Sequence, residues 1–352
     1  MELNLEQQEI VTTNKNKVLV SCVAAAGKTR VLTERVKYLI NQGVSPYKIV
    51  VITFTNAAAE EMRKRIGEKG EKVFIGTIHS YANFLLRAHG INTSSILDEE
   101  NFDQLFAMIK KHPECIQEVE HLLLDEAQDT DDKQFYFLLN QMCPHSYFLV
   151  GDPRQTIYEW KGVNPSALFL IEQEPDVTTY VLNENYRNGR KILAFAKSII
   201  DKLGYDYTDE SICASDIIGQ VNRLWYDEKA IGRFIKNKGY GDYGSWFVLC
   251  RTNSQADYIQ SYLESIGVPT DTFKKADLTS EELNKKMTEN TVKVITIHTA
   301  KGLEADNVIV VDPRMYNAEE VRVSYVAATR AKKNLIWMPI KKTPKKRISS
   351  WE

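Results

Sequence analysis

Val18-Leu-Val-Ser-Cys-Val-Ala-Ala-Ala-Gly-Lys-Thr-Arg30 is the stretch on which the reading of this chain turns. The apolar run Val18 to Val20 predicts a buried strand. Small residues follow, then Gly27-Lys28-Thr29 and an amphipathic helix through Val31, Leu32 and Val36. Strand, tight loop and helix N-terminus make a phosphate cradle. Backbone N–H groups and the helix dipole face the anion, the lysine reaches the outer phosphates, and the threonine hydroxyl ligates magnesium. The fit to the general P-loop pattern is partial, because Cys22 stands where that pattern has its first glycine. The remaining motifs therefore decide.

The chain has 352 residues, 43% of them hydrophobic, enough for two domains with their own cores. A net charge of −2 announces no global attraction to nucleic acid, so any such binding needs a local groove. The five cysteines (22, 115, 143, 213, 250) form no Cys-x-x-Cys pair, which argues against a zinc ribbon or disulfide framework and fits a reducing compartment. The polar, acidic N-terminus does not resemble a signal peptide, and no apolar run approaches bilayer length. The expectation is a soluble cytoplasmic protein without a membrane partner.

Strand patterns recur at 49–54, 72–76, 122–125, 146–150 and 177–182, with helices between them at 57–66 and 81–87. That alternation predicts a doubly wound parallel sheet, whose ligands sit at the carboxyl ends of its strands. A second α/β unit is expected from strands at 221–226, 246–250, 292–297, 307–311 and 334–338 with helices at 255–266 and 319–330. The glycines of 238–244 suit a connection, and the basic run 341–347 reads as a solvated end.

His121-Leu-Leu-Leu-Asp125-Glu126 is the strongest local signal. An apolar strand that ends in paired carboxylates suits ATP hydrolysis: Asp125 can hold magnesium and Glu126 can orient and deprotonate water. Arg187 and Arg330 are candidates for positive charge on the γ-phosphate, although for either arginine taken alone a surface salt bridge is the favoured reading. Phe54, Tyr158 and Trp160 could stack on the bases of a single strand, and each suits a core equally well. Gln7 has the paired donor and acceptor that match an adenine edge.

Taken in order, these motifs resemble the UvrD/PcrA/Rep group of superfamily 1 helicases. The matching stretches are Leu3-Asn-Leu-Glu-Gln7, Ala26-Gly-Lys-Thr-Arg30, 52–62, Gly76-Thr-Ile-His-Ser80, Leu124-Asp-Glu-Ala-Gln-Asp129, 150–162, Asn185-Tyr-Arg187, 296–304 and 319–331. The resemblance implies two RecA-like P-loop domains with parallel sheets flanked by helices. Residues 1–182 would carry the P-loop and Asp-Glu box, and 183–352 would supply the arginine fingers. It also implies an ATP-dependent translocase or helicase that hydrolyses ATP in the interdomain cleft and moves 3′ to 5′ on single-stranded DNA. By the same resemblance, Lys28, Asp125, Glu126, Gln155, Arg187 and Arg330 are catalytic. ATP would meet Gln7, Ala24, Ala25, Ala26, Gly27, Lys28, Thr29, Arg30, Tyr186, Arg187, Glu304 and Arg330, with Mg2+ on Thr29 and Asp125. Phe54, Asn56, Thr77, His79, Tyr158, Trp160, Thr296 and His298 would meet DNA.

Several departures shape the expectation. Only 33 residues separate Arg87 from His121, and 24 separate Gly267 from Val292, where the family usually inserts accessory domains. Helices near 101–110 and 280–288 are what remains, so unwinding is expected to be weak or assisted by a partner. Ala57 stands where the family usually has lysine, and Lys161 where it usually has arginine. Val23 and Ala25 stand in place of glycines. The loop is therefore expected to run through ordinary backbone conformations, with slightly altered phosphate contacts. A nucleotide-gated DNA-binding switch that works with a partner such as a nuclease is the alternative.

Overall fold

The computed structural model describes residues 3–98, 101–239, 241–274 and 278–341. By the density of backbone contacts, the chain divides into two units. One comprises Met1–Tyr186 with Gly204–Ala214 and Lys275–Lys285. The other comprises Arg187–Leu203, Ser215–Lys274 and Lys286–Glu352.

The first unit is built on a six-stranded sheet: β1 (Lys17–Cys22), β2 (Ile49–Ile52), β3 (Phe74–Gly76), β4 (His121–Leu124), β5 (Ser146–Gly151) and β6 (Val177–Leu182), in the order β3-β2-β4-β5-β1-β6. Every pairing is parallel. Parallel strands covered on both faces read as continuous apolar runs, as Ile49-Val-Val-Ile52 does. Successive side chains still alternate between faces. Leu19, Val50, Ile52, Leu122, Leu124 and Leu149 enter one core, while Val18, Val20, Ile49, Val51, Leu123 and Val150 enter the other.

The strand-to-helix turns are set by caps. Thr55 accepts from Ala58 N to start helix Asn56–Ile66, and Thr77 accepts from Ser80 N to start Ile78–Ala88. The Thr77 cap explains why that helix begins three residues before the apolar periodicity suggests. Gly27, at φ +84°, opens helix Lys28–Asn41 from the left-handed region. Two short strands, β7 (Glu184–Asn185) and β8 (Ile212–Cys213), pair with each other. They fasten the returning segment 204–214 to the first unit.

The second unit has its own parallel six-stranded sheet: β9 (Gln220–Arg223), β10 (Trp246–Cys250), β11 (Thr270–Asp271), β12 (Val292–Thr296), β13 (Ala305–Val311) and β14 (Ala331–Met338), ordered β11-β12-β10-β13-β14-β9. Trp246, Val248, Val292, Val294, Ile309 and Ile336 form its core against helices Glu228–Gly239 and Asn253–Ser265. The expected α/β class with helix-flanked parallel sheets holds in both units. The first of the helices expected at the shortened positions is Asp103–Lys111 and the second is Ser280–Thr288. Lys238 and Gly239 belong to a helix, not to the connection their composition suggests. Tyr240 and the basic run beyond Lys341 lie outside the described residues.

Candidate functional site

In the first sheet β5 lies between β1 and β4, so three neighbouring strands deliver their carboxyl-end residues together. From β1 come Cys22 and the loop to Lys28, from β4 Asp125 and Glu126, and from β5 Gly151 and Asp152. Lys28 Nζ donates to Glu126 Oε2 at 2.9 Å, with only 11% of the lysine side chain exposed. Burial opposes the ammonium charge. The carboxylates of Glu126, Asp125 and Asp152 outweigh it and hold the Lys28 pKa above its ordinary value. Asp125 is buried, and burial together with the Glu126 charge raises its carboxyl above the usual range. Lys28 and a hydrogen bond from Thr29 pull the other way. Asp125 Oδ1 also accepts from Glu126 N at 3.0 Å, and Glu126 itself sits at φ +50°. A non-glycine residue held there stores backbone strain, a common property of working sites.

The loop corrects one expectation. It does not run entirely through ordinary conformations: Ala25 adopts φ +59°. A left-handed alanine is disfavoured but feasible, whereas a β-branched residue would be far worse. Val23 avoids that region and instead buries its side chain in the core, with its N–H on Leu182 O at 2.9 Å. Residues following β6 hold the loop from behind. Asn185 Nδ2 donates to Ala24 O at 2.9 Å, and Tyr186 N donates to Ala25 O at 3.3 Å.

Gln7 and Tyr186 meet beside this loop through a residue the motif reading passed over. Asn4 caps the first helix by accepting from Gln7 N at 2.7 Å. Its amide donates to Glu184 Oε2 at 2.9 Å and Tyr186 Oη at 3.1 Å. Gln7 is 3% exposed, and its amide nitrogen donates to Ala26 O at 3.3 Å. The signal was available, since Asn4 and Gln7 form a capping box at the expected spacing.

Gln155 and Gln128 extend the polar network behind Glu126. Gln155 Nε2 donates to the fully buried Asp152 at 2.8 Å, and Asp152 N donates to Gln128 Oε1 at 3.0 Å. Gln128 Nε2 in turn donates to Glu126 Oε2. Gly151 is needed for this approach, because a Cβ there would lie 2.8 Å from Gln128 Oε1 and 3.2 Å from Gln128 N.

Among the residues expected at DNA, Phe54, Tyr158 and Trp160 cluster on the first unit. Phe54 stacks on Tyr158 at 5.2 Å between centroids, Trp160 lies 6.5 Å from Tyr158, and Lys161 Nζ sits over both the Tyr158 and Trp160 rings. Phe54 is 41% and Trp160 66% exposed, whereas Tyr158 is buried and supports them. Asn56 is exposed beside this cluster, and Thr77 spends its hydroxyl on the helix cap. His79 packs on Phe102 and Phe106, and burial lowers its pKa. A cavity of about 70 Å³ lined by Phe54, Thr77 and His79 also touches Asp125 and Glu126, so the exposed face and the carboxylates share one void.

In the second unit, Arg187, Glu304 and Arg330 come together. Arg187 Nε donates to Glu304, whose other oxygen takes Lys332 Nζ at 2.6 Å. Burial would raise the Glu304 pKa, but Arg187 and Lys332 override it and hold the carboxyl at about 2. Arg330 is 2% exposed and donates to Val326 O, Leu303 O and Thr329 Oγ1. Thr296 Oγ1 accepts from Thr299 N at the end of β12, and His298 is half-buried in the turn that follows.

A carboxylate with a hydroxyl beside a lysine fits magnesium, which uses few protein ligands and completes its shell with water and phosphate. Thr29 and Asp125 would supply that pair. No helix among the described residues is long and apolar enough to cross a membrane.

Comparison with known proteins agrees with this geometry. The model of the UvrD/REP helicase N-terminal domain matches residues 3–115 and 105–176, and that of the UvrD-like helicase C-terminal domain matches 270–342. The ATP-dependent DNA helicase PcrA of Leuconostoc citreum is 26% identical over 379 residues, covering 76% of this chain and 49% of its own length. A probable DNA helicase of Mycoplasma pneumoniae is 24% identical over 452 residues, covering 96% of this chain and 83% of its own. PcrA of Staphylococcus epidermidis is 25% identical, with 76% and 50% covered. The chain spans about half the length of these PcrA relatives.

Proposed function

Because the chain belongs to the UvrD/REP helicase family, we propose that it is an ATP-driven motor on single-stranded DNA that moves 3′ to 5′. The observation that carries the proposal is the convergence of Lys28, Thr29 and Glu126 on the buried Asp125, with Lys28 Nζ 2.9 Å from Glu126 Oε2. In this reading the phosphates of ATP take the Lys28 ammonium, and Glu126 is released to accept a proton from the attacking water. Gln128 keeps the carboxylate oriented while its partner changes. A magnesium ion held by Thr29 and Asp125 would neutralise charge on the β- and γ-phosphates. Gln155, which donates to the buried Asp152, senses the γ-phosphate in this reading and passes its state to the turn that carries Tyr158 and Trp160. Arg187 and Arg330 stabilise charge that develops as the phosphoryl group leaves.

DNA is held by stacking on Phe54 and Trp160, with Lys161 supplying positive charge. Duplex unwinding is weak or depends on a partner chain, since the described residues at the positions of the accessory insertions form short helices, Ser94–Asp98 and Asp103–Lys111 at the first and Ser280–Thr288 at the second.

The test is ATP turnover with and without single-stranded DNA, with Lys28→Ala and Glu126→Gln as inactive controls. DNA should stimulate the wild type and neither control. Arg187→Ala and Arg330→Ala should lower kcat far more than nucleotide affinity. ATP binding with slow turnover, unchanged by DNA, would identify a nucleotide-gated switch and refute the motor. A strand-displacement assay on a 3′-tailed duplex measures how much unwinding the chain performs alone.

A further inference from the structure

We propose that Arg154 is a positioning residue for the nucleotide site. It acts through Asp152 on Gln155 and Glu126, an inference that rests on the ATPase reading above. Arg154 is 7% exposed, and its guanidinium joins a side-chain carboxylate to two separate pieces of backbone. Nε donates to Asp152 Oδ1 at 2.7 Å, Nη2 to Cys22 O at 2.9 Å and Nη1 to Thr208 O at 3.1 Å. Cys22 is the last residue of β1, where the phosphate loop begins. Thr208 lies on the segment that returns to the first unit and pairs behind that loop.

These contacts close a ring. It runs from Cys22 along the loop to Lys28, across to Glu126, through Gln128 to Asp152, and by Arg154 back to Cys22. Asp152 is fully buried, and its second oxygen accepts from Gln155. Arg154 neutralises that carboxylate and sets the direction in which it holds Gln155. It also fixes the distance between the base of the loop and the strand that carries Asp152. A lysine would keep the charge but has a single nitrogen, which cannot reach three acceptors in these directions. Removal of the cation altogether leaves a buried carboxylate unpaired.

The experiment compares DNA-stimulated ATP hydrolysis by wild type, Arg154→Lys and Arg154→Ala, with thermal unfolding of each. Arg154→Lys is expected to unfold near the wild-type temperature, keep KM for ATP within about twofold and lose about tenfold in kcat. Arg154→Ala is expected to lose about 100-fold in kcat, the scale of a misplaced catalytic group. If the alanine variant does not fold, the lysine variant carries the test. A kcat for Arg154→Lys equal to wild type would overturn the proposal. So would a KM that rises in step with the fall in kcat, or a loss wholly explained by the unfolded fraction. A wild type that turns over no ATP refutes the ATPase reading and this proposal with it; an active wild type with an indifferent Arg154 refutes this proposal alone.

Discussion

Replacing Ala25 with glycine should stabilise the protein, the reverse of the usual effect of glycine. Ala25 is held at φ +59°, inside the phosphate loop, with its carbonyl accepting from Tyr186 N. An L-residue with a Cβ costs about 1–2 kcal/mol in the left-handed region. Glycine removes that cost but adds about 0.4–1 kcal/mol of unfolded-chain entropy. The balance is a net gain of about 0.5–1 kcal/mol. For a unit of roughly 200 residues that raises Tm by about 1–4 °C. Urea unfolding followed by far-UV circular dichroism measures the free energy, and calorimetry the temperature. The carbonyl stays available to Tyr186 N, so the m-value should not change. If Ala25→Gly instead loses about 0.5–1 kcal/mol, the normal cost of glycine at an extended or right-handed position, then the loop is not left-handed at residue 25. The account of how it accommodates alanine in place of glycine would then be wrong.

The neighbouring substitution should behave oppositely. Val23 is 2% exposed in the core, so Val23→Gly should cost about 2–4 kcal/mol from lost burial and added chain freedom, read from the urea midpoint; tighter ATP binding without that loss would contradict this account. Gly151→Ala should cost about 1–3 kcal/mol and reduce ATP turnover, because its Cβ would press on Gln128 and turn it from Glu126. Wild-type turnover in that variant would show that Gln128 does not orient the carboxylate. Glu304 gives a pH dependence. Its carboxyl is held at about 2 against an ordinary 4.5, so its stabilising contribution is complete above pH 4.5 and is lost as pH falls through about 2. Urea midpoints measured from pH 5 to pH 2 should fall less steeply for Glu304→Gln, and equal slopes would count against the Arg187–Glu304–Lys332 cluster.

Much of the fold was legible because buried parallel strands announce themselves as apolar runs ended by polar clusters. Trp246–Cys250, buried throughout, has the boundaries that its hydrophobicity suggests, and the half-buried edge strand Val177–Leu182 keeps its expected boundaries as well. The catalytic core was legible for a related reason: Asp125–Glu126 follow the end of one such strand, Lys28 opens the helix that follows another, and the carboxyl ends of neighbouring strands converge. What escaped was the material between motifs. Asn4, Gln128 and Arg154 act through hydrogen bonds to residues 182, 24 and 132 positions away, and no local pattern encodes such partners. The left-handed alanine escaped because its φ is imposed by what holds the loop at both ends, by contacts such as Val23 N on Leu182 O and Tyr186 N on Ala25 O. Exposure divided the aromatics in a way composition could not. Phe54 and Trp160 face outward, whereas Tyr158, in the same motif as Trp160, became their support.

The return of residues 204–214 to the first unit bears on how the protein is made. A chain emerging from the ribosome N-terminus first would usually complete its first domain before the second begins. Here the strand that pairs with Glu184–Asn185 is translated only after helix Arg190–Ile200. The contact of Ser280 Oγ with Ala57 O must wait for synthesis of β9, β10 and β11. The backing of the phosphate loop thus waits for a helix of the other unit, and the Ser280 contact of the first unit follows three strands of the second sheet. A fragment cut after Tyr186 would contain every nucleotide-loop residue yet lack the segment that braces them. It should aggregate or bind chaperones more readily than its own sequence suggests, and residues 204–214 supplied as a separate peptide should relieve it.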